Sequence, residues 1–162
     1  MSKTPTFELQ DAHKYFAAHC FNKTWDFIDK QSRTAEEVDQ MIQLCLTSLW
    51  HWSQRTDATP KNFSVGYWQA SRVNALAGLA DTADWFARRC LKLSVENQLP
   101  PFYIGYAHEA MARASLVHGA RARAREHLRA AGEELARVTD TEERELMQND
   151  LSQLEKTIAE NR

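Results

Sequence analysis

Apolar residues recur along this chain with the period of an α-helix. Between Thr34 and Ser53 they are spaced four, three, four and three residues apart, which aligns them on one face of a helix. Two later segments have similar spacing, and the three sets are Val38, Ile42, Cys45, Leu49 and Trp52; Ala124, Leu128, Ala131, Leu135 and Val138; and Met147, Leu151, Leu154 and Ile158. No Asn-Gly or Asp-Gly pair, a common mark of a β-hairpin, occurs in the chain. The pattern predicts an all-α protein.

Capping signals and helix breakers divide this pattern into about seven helices. Thr34 and Glu37 have the spacing of a capping box, and Asp140 stands three residues before Glu143, where it can cap a helix. Because the breaks are short, consecutive helices are expected to pack as antiparallel neighbours. The prediction is a single domain over residues 1–162, with helix pairs at about 8–56, 61–98 and 101–138 and a C-terminal capping helix over 141–160.

Small residues repeat at an interval of 41 positions, as Gly78 and Gly119 show. A competing offset of 39, which aligns Gly66 with Gly105, would put the second helices out of phase. The interval of 41 therefore predicts helix hairpins in tandem, each turning at a glycine. The other matched pairs are Ser71 with Ala112, Arg72 with Arg113, Ala83 with Ala124 and Cys90 with Ala131.

This arrangement resembles the tetratricopeptide repeat, in which small residues lie where two antiparallel helices cross and a glycine separates them. Gly78 and Gly119 match the turn, and the interval of 41 residues exceeds the family's repeat of about 34. The chain is also similar to an uncharacterised family of small bacterial tetratricopeptide-like proteins. That similarity is carried by HW at 51–52, W..SR at 68–72, ARRCL at 87–91, YAHEAMARA at 106–114 and TEERELMQNDL at 141–151. Both resemblances imply a stack of helix hairpins, and the second implies no particular activity.

The charge balance limits the classes of partner. Twenty lysines and arginines against 22 acidic residues give a formal net charge of −2, too little to hold the chain on nucleic acid or an anionic membrane. The arginine-rich segment 120–137 contains Glu126, Glu133 and Glu134 and no aromatic residue, which is typical of a solvated outer face. We therefore expect neither nucleic acid nor a membrane as a partner.

The cysteines and the N-terminal sequence indicate a compartment. Cys20, Cys45 and Cys90 form no CxxC pair and fall among apolar neighbours, as expected of small core residues in a reducing environment. The N-terminal sequence MSKTPTFELQDAHK lacks the apolar segment of a secretory signal, and no run of about 18 apolar residues occurs. The sequence predicts a cytoplasmic protein.

The first helices of successive pairs hold the candidate binding site, because they line the concave side of a stack and residues three or four apart share a face. Trp68 with Arg72 would present an indole beside a guanidinium, which suits a carboxylate, a phosphate or an acidic peptide. The alternative is a structural pair, in which Arg72 lies along Trp68 and pairs with Glu109 or Glu143. Glu109 and Arg113 have the spacing of an ordinary helix ion pair, but burial against Arg72 would call for an anion. Tyr106 lies one turn before them on the same face.

His51 ends the second predicted helix and could either face Trp68 and titrate near neutral pH or cap the last carbonyl groups of its helix. The six histidines show no HxxxH, HExxH or ExxH spacing, and no metal site is predicted. No GxSxG, Walker or glycine-rich phosphate motif occurs, and neither a catalytic residue nor a cofactor is predicted.

These observations predict a non-catalytic module that binds a peptide, a protein or a small anionic ligand in a concave groove. The five groove residues described above would form its centre, with His51 near the rim. One alternative is a helical enzyme with a buried histidine, carboxylate or metal site. Another is a self-associating structural module, including a homodimer, because terminal repeats have few residues with which to cover their apolar edges.

Overall fold

The computed structural model describes residues 7–160, which form seven α-helices and no strand. The prediction of an all-α fold is confirmed. Residues 1–6, which belong to the segment expected to lack a secretory signal, and residues 161–162, the end of the predicted domain, lie outside the described part. The helices are α1 (Leu9–Ile28), α2 (Ala35–Ser53), α3 (Pro60–Leu76), α4 (Ala80–Glu96), α5 (Pro101–Val117), α6 (Arg121–Leu135) and α7 (Thr141–Glu160).

The helix starts follow local hydrogen-bonding rules. At α2 the Glu37 carboxylate accepts from the backbone N–H of Thr34 at 3.0 Å and the Thr34 hydroxyl accepts from the N–H of Glu37 at 3.3 Å, which is the predicted capping box. At α7 the Asp140 carboxylate accepts from the N–H of Glu143 at 2.9 Å, also as predicted. Both caps satisfy N–H groups that a helix leaves free in its first turn.

The ends of α3 and α5 repeat one geometry. Gly78 and Gly119 each have φ +73°, a left-handed conformation that glycine adopts without a steric penalty. After each glycine the chain donates a hydrogen bond back to the last turn, Leu79 to Asn74 at 2.9 Å and Ala120 to Ser115 at 2.8 Å. Since the two glycines stand 41 residues apart in the sequence, the predicted interval appears in the structure as two equivalent turns.

The helices form two layers. Consecutive helices pack as antiparallel neighbours, and each odd-numbered helix also contacts the next odd-numbered one. In the described part of the chain, no Cα atoms of α2 and α4 lie within 8 Å of each other, and the same holds for α4 and α6, which are joined only by long side chains such as Arg123 with Asp84 at 2.5 Å. A stack whose odd helices touch while its even helices diverge is curved, with α1, α3, α5 and α7 on the inner side.

The core follows the predicted stripe fully in α7 and partly in α2, where Cys45 is buried and Ile42 and Leu49 are partly buried against the same core cluster. All four apolar residues of the α7 stripe are buried. In α2 the buried residues are Met41, Cys45 and Ser48, so that only Cys45 of the predicted stripe is buried. The Ser48 hydroxyl donates to the carbonyl of Ala17 at 2.7 Å, and this bond allows a polar residue to occupy the α1–α2 contact. The apolar spacing therefore identified the face of α2 that meets the core but missed Met41 and Ser48 at its centre.

The three cysteines are free and buried. Burial raises the pKa of the Cys45 thiol to about 12 and, despite hydrogen bonds from Ser64 and Ser94, raises that of Cys90 to about 12 as well. These groups are core residues and not nucleophiles. None of the helices within residues 9–160 has both the length and the hydrophobicity needed to cross a bilayer.

Candidate functional site

Glu109 of α5 is the centre of a buried polar group that joins α3 to α5. Its side chain is fully buried, and its two oxygens accept from three donors. Trp68 donates its indole N–H to Oε2 at 2.9 Å, Arg72 donates from Nη1 to Oε1 at 3.2 Å, and Arg113 donates from Nε to the same Oε1. Trp68 and Glu109 stand 41 residues apart, so equivalent positions of the two hairpins bond to each other.

The guanidinium groups of this cluster are mostly buried, with 17% of the Arg72 side chain and 20% of the Arg113 side chain exposed. Burial and the neighbouring Arg113 lower the pKa of Arg72, while the Glu109 carboxylate opposes that shift. Two positive groups face one negative group. Arg72 Nε and Arg113 Nη2 are buried and have no hydrogen-bond partner within residues 7–160.

A cavity of about 170 Å³ lies beside Trp68 on the inner layer. All four odd helices line it, and most of its walls are aromatic rings. Trp25 and Trp68 have ring centres 5.9 Å apart, Trp68 and Tyr106 meet at 5.5 Å with planes at 78°, and Phe102 and Tyr106 meet at 4.9 Å with planes at 72°. Two of these pairs meet edge to face, whereas the Trp25 and Trp68 planes are tilted by 32°. The full lining is Trp25, Ser64, Val65, Trp68, Phe102, Tyr103, Tyr106, Leu146 and Asp150.

Asp150 of α7 is the charged residue in this lining. The Tyr106 hydroxyl donates to its Oδ2 at 2.7 Å. Burial, and then the hydrogen bond to the Asp150 carboxylate, raise the pKa of Tyr106, which therefore stays protonated. No lysine, arginine or histidine nitrogen within the described residues lies within 4.0 Å of the Asp150 carboxylate.

The structure brings together five of the six residues proposed from the sequence, in two roles. Trp68 and Tyr106 line the cavity. Arg72, Glu109 and Arg113 are absent from the lining; Glu109 accepts from the Trp68 indole N–H, and the two arginines donate to Glu109. The charge that the cavity presents is thus a carboxylate, whereas the sequence pointed to the guanidinium of Arg72.

His51 lies elsewhere. Its Nδ1 is 2.9 Å from Nδ1 of His13 on α1, and its ring contacts Phe16 and Trp50. Burial and the neighbouring His13 lower the pKa of His51. The structure therefore places His51 in a contact between α1 and α2, and not beside Trp68, which was one of the two alternatives that the sequence left open.

A second histidine pair, which the sequence did not indicate, joins α5 to α6. Nδ1 of His108 lies 3.1 Å from Nδ1 of His127. Burial is the main cause that lowers the pKa of both, with His127 adding to the shift of His108 and Arg123 to that of His127. Within residues 7–160, no cluster of three or more histidine, cysteine, aspartate or glutamate side chains is arranged to hold a metal ion.

Seven of the nine residues that line the cavity were missed from the sequence, among them Trp25, Phe102 and Asp150. Phe102 precedes Tyr106 by one helical turn, and this spacing could have identified it. Trp25 and Asp150 come from α1 and α7, and no spacing within those helices indicates which wall they reach. Comparisons of the chain with protein-family models, with curated proteins and with solved structures find no match.

Proposed function

We propose that this chain is a non-catalytic, tetratricopeptide-like binding module that holds a small group in the cavity between α1, α3, α5 and α7. The group is either one side chain of a peptide or protein partner or a small molecule. One observation carries the proposal: a mainly apolar cavity on the inner layer is walled by aromatic rings, and one of them, Trp68, is fixed by a buried carboxylate.

The size and stiffness of the cavity support this function. A volume of about 170 Å³ is the space of roughly six water molecules, which suits a head group or a side chain. Because the Trp68 indole is already bound to Glu109 and the Tyr106 hydroxyl to Asp150, little side-chain freedom is lost when a ligand enters. Tryptophan and tyrosine are also the residues that most often anchor partners.

The alternative of an enzyme would use Tyr106 or Asp150 to move a proton. The raised pKa of Tyr106 opposes its ionisation near neutral pH and supports recognition as the role of this site. Metal analysis of the purified protein tests the metal-dependent form of the alternative, since a stoichiometric metal ion would favour it. The free, buried thiols support a reducing cytoplasm as the place of action.

A small anionic ligand is a second candidate, favoured by one specific observation. Arg72 Nε and Arg113 Nη2 are donors without partners in the described residues, in a group whose two positive charges face one carboxylate. An anion that reached them would satisfy both donors. The Asp150 carboxylate in the cavity wall weighs against an anion in the cavity itself.

The proposed function is tested by probe binding to the ¹⁵N-labelled protein. Indole, choline, benzoate and 3,3-dimethyl-1-butanol are titrated while the indole N–H resonances are followed by NMR. We expect at least one probe to shift the resonances of Trp25 and Trp68 and to leave that of Trp85 on α4 unchanged.

A blocking variant and a matched control locate the binding. Leu146 lines the cavity and is 55% exposed, so that Leu146→Trp fills the space with little cost to folding. Leu46→Trp makes the same change on α2 at a residue that is 41% exposed and outside the lining. Loss of the shifts in the first variant only supports the proposal, and a wild-type protein that responds to none of the probes contradicts it.

A further inference from the structure

We infer that the cavity binds a quaternary ammonium group, such as the trimethylammonium group of choline or of a trimethylated lysine side chain. The observation is an aromatic cage with a carboxylate in its wall, formed by Trp25, Trp68, Phe102, Tyr103, Tyr106 and Asp150. This inference rests on the proposed function and names the ligand class for the same cavity.

The ring arrangement suits a compact cation. The faces of aromatic rings carry negative electrostatic potential, and a cation within about 6 Å of a ring centre is attracted to it. The centres of adjacent rings in this wall are 4.9 to 5.9 Å apart, and their planes meet at up to 87°. A cation in the cavity would therefore lie among five aromatic side chains.

The charges at the cavity also favour a cation. Asp150 is half-buried, lines the cavity and has no ion-pair partner within 4.0 Å in the described residues. Arg72 interacts with Asp150 through space, but its Nη1 is bound to Glu109. A cation in the cage would supply the close positive charge that Asp150 lacks.

Methylation of the ammonium group follows from the scarcity of acceptors. A primary ammonium has three N–H donors, each of which must exchange water for a new acceptor on entering an apolar site. In the lining only Ser64, Tyr103, Tyr106 and Asp150 carry side-chain oxygens, and the rest of the wall is apolar. A trimethylammonium group has no donors to satisfy and covers its charge with methyl groups, which match the apolar walls. Its size also suits a cavity of about 170 Å³.

Calorimetric titration of the wild-type protein tests the charge and the methyl groups separately. Choline is compared at constant ionic strength with 3,3-dimethyl-1-butanol, which replaces the quaternary nitrogen by carbon, and with ethanolamine, which lacks the methyl groups. We expect choline to bind about tenfold more tightly than either. A peptide that carries trimethyllysine distinguishes the two sources, and the unmodified peptide is its control. If the trimethylated peptide binds more tightly than choline, the ligand belongs to a protein partner; if it binds more weakly, the ligand is a small molecule.

Two variants connect the affinity to the cage. Asp150→Asn is expected to weaken choline binding about tenfold and to leave the neutral alcohol unaffected, because only the charge is removed. Trp25→Leu is expected to weaken choline binding by a similar factor, whereas Trp85→Leu, at an exposed residue outside the cage, is expected to leave it unchanged. Thermal melting by circular dichroism confirms that each variant is folded before it is titrated.

The possible results separate this inference from the proposed function. If 3,3-dimethyl-1-butanol binds as tightly as choline, or benzoate binds more tightly, the inference is overturned and the cavity is still a binding site. If no probe binds, both are overturned. A choline affinity that is unchanged by Asp150→Asn also overturns the inference, even though the cavity is occupied.

Discussion

Glu109 determines where the Trp68 ring lies, and it does so from a fully buried position. A buried carboxylate is strongly disfavoured unless donors replace its lost hydration, and here an indole and two guanidinium groups do so. Removing the negative charge would leave Arg72 and Arg113, both mostly buried, facing each other without a counterion. The contribution of Glu109 is therefore to neutralise its donors as well as to position the indole.

We predict that Glu109→Gln lowers the free energy of unfolding by about 3 kcal/mol, as expected when one partner of a buried ion pair is removed. Urea unfolding measures the change. Glu133→Gln is the matched control, because Glu133 forms the same kind of pair with Arg129 while 62% of its side chain is exposed, and its loss should cost less than about 0.5 kcal/mol. Equal effects of the two substitutions would show that the Glu109 cluster does not have the energetic role described.

The sequence allowed part of this site to be predicted at the level of single residues. The spacings of three and four residues predicted that Tyr106, Glu109 and Arg113 share one face of α5. The interval of 41 residues predicted that Trp68 occupies the position equivalent to Glu109, and the two side chains are hydrogen-bonded in the structure. It did not show that Arg72 faces the carboxylate more than the cavity. That choice depends on burial, which is a property of all the packed helices and not of the spacing in one of them.

At the level of elements, the position of α7 completes the cavity, since α7 supplies Leu146 and Asp150. Gly105 permits its close approach to α5, because a Cβ atom there would overlap the Cε of Met147 and lie 3.0 Å from its sulfur. The buried stripe of α7 was predictable from its apolar spacing, but its partner was not. A glycine within a helix is explained only when the helix that packs against it is known.

We predict that Gly105→Ala destabilises the protein by about 1 to 3 kcal/mol, because the added methyl group forces Met147 to move within a packed contact. Gly132→Ala is the control within a neighbouring helix. A Cβ atom at Gly132 meets nothing within 4 Å, so the gain in helix propensity should stabilise the protein by about 0.5 to 1 kcal/mol. Thermal unfolding that shifts in the same direction for both variants would contradict this account of the α5–α7 contact.

For the whole molecule, the two histidine contacts predict a dependence of stability on pH. The pKa values of His51, His108 and His127 are lowered in the folded state, chiefly by burial. As the pH falls below the ordinary histidine value of about 6.5, the unfolded chain binds protons that these folded histidines still exclude. The free energy of unfolding is thus highest above that value and decreases as the pH falls through the lowered pKa values.

The expected measurement is a series of urea unfolding curves between about pH 7 and pH 5, above the range in which most carboxylates titrate. His127→Asn should reduce the slope of stability against pH, because asparagine does not titrate and its neighbour His108 loses a like-charged partner. The charges of Asp84, Glu126 and Arg123 also shift the pKa of His127, and these three residues are unchanged in this variant. His19→Asn, at an exposed histidine, is the control, and an equal reduction by both would rule out a special role for the α5–α6 pair.

The two ends of the stack differ in how they are covered, and this difference predicts self-association. α7 packs on α5 and α6, whereas the α1–α2 end presents a patch of exposed apolar residues, Tyr15, Phe16, Leu46 and Trp50. Exposed apolar patches on a terminal hairpin are typical of contacts between copies. We therefore expect the wild-type protein to have the mass of a homodimer in light scattering. Trp50→Ser should shift it toward the monomer, whereas Trp85→Ser should not, because Trp85 is equally exposed at 53% but lies beside Arg89 and away from the patch. If the wild-type protein is a monomer, the patch is exposed to solvent in the free protein and the prediction of self-association is wrong.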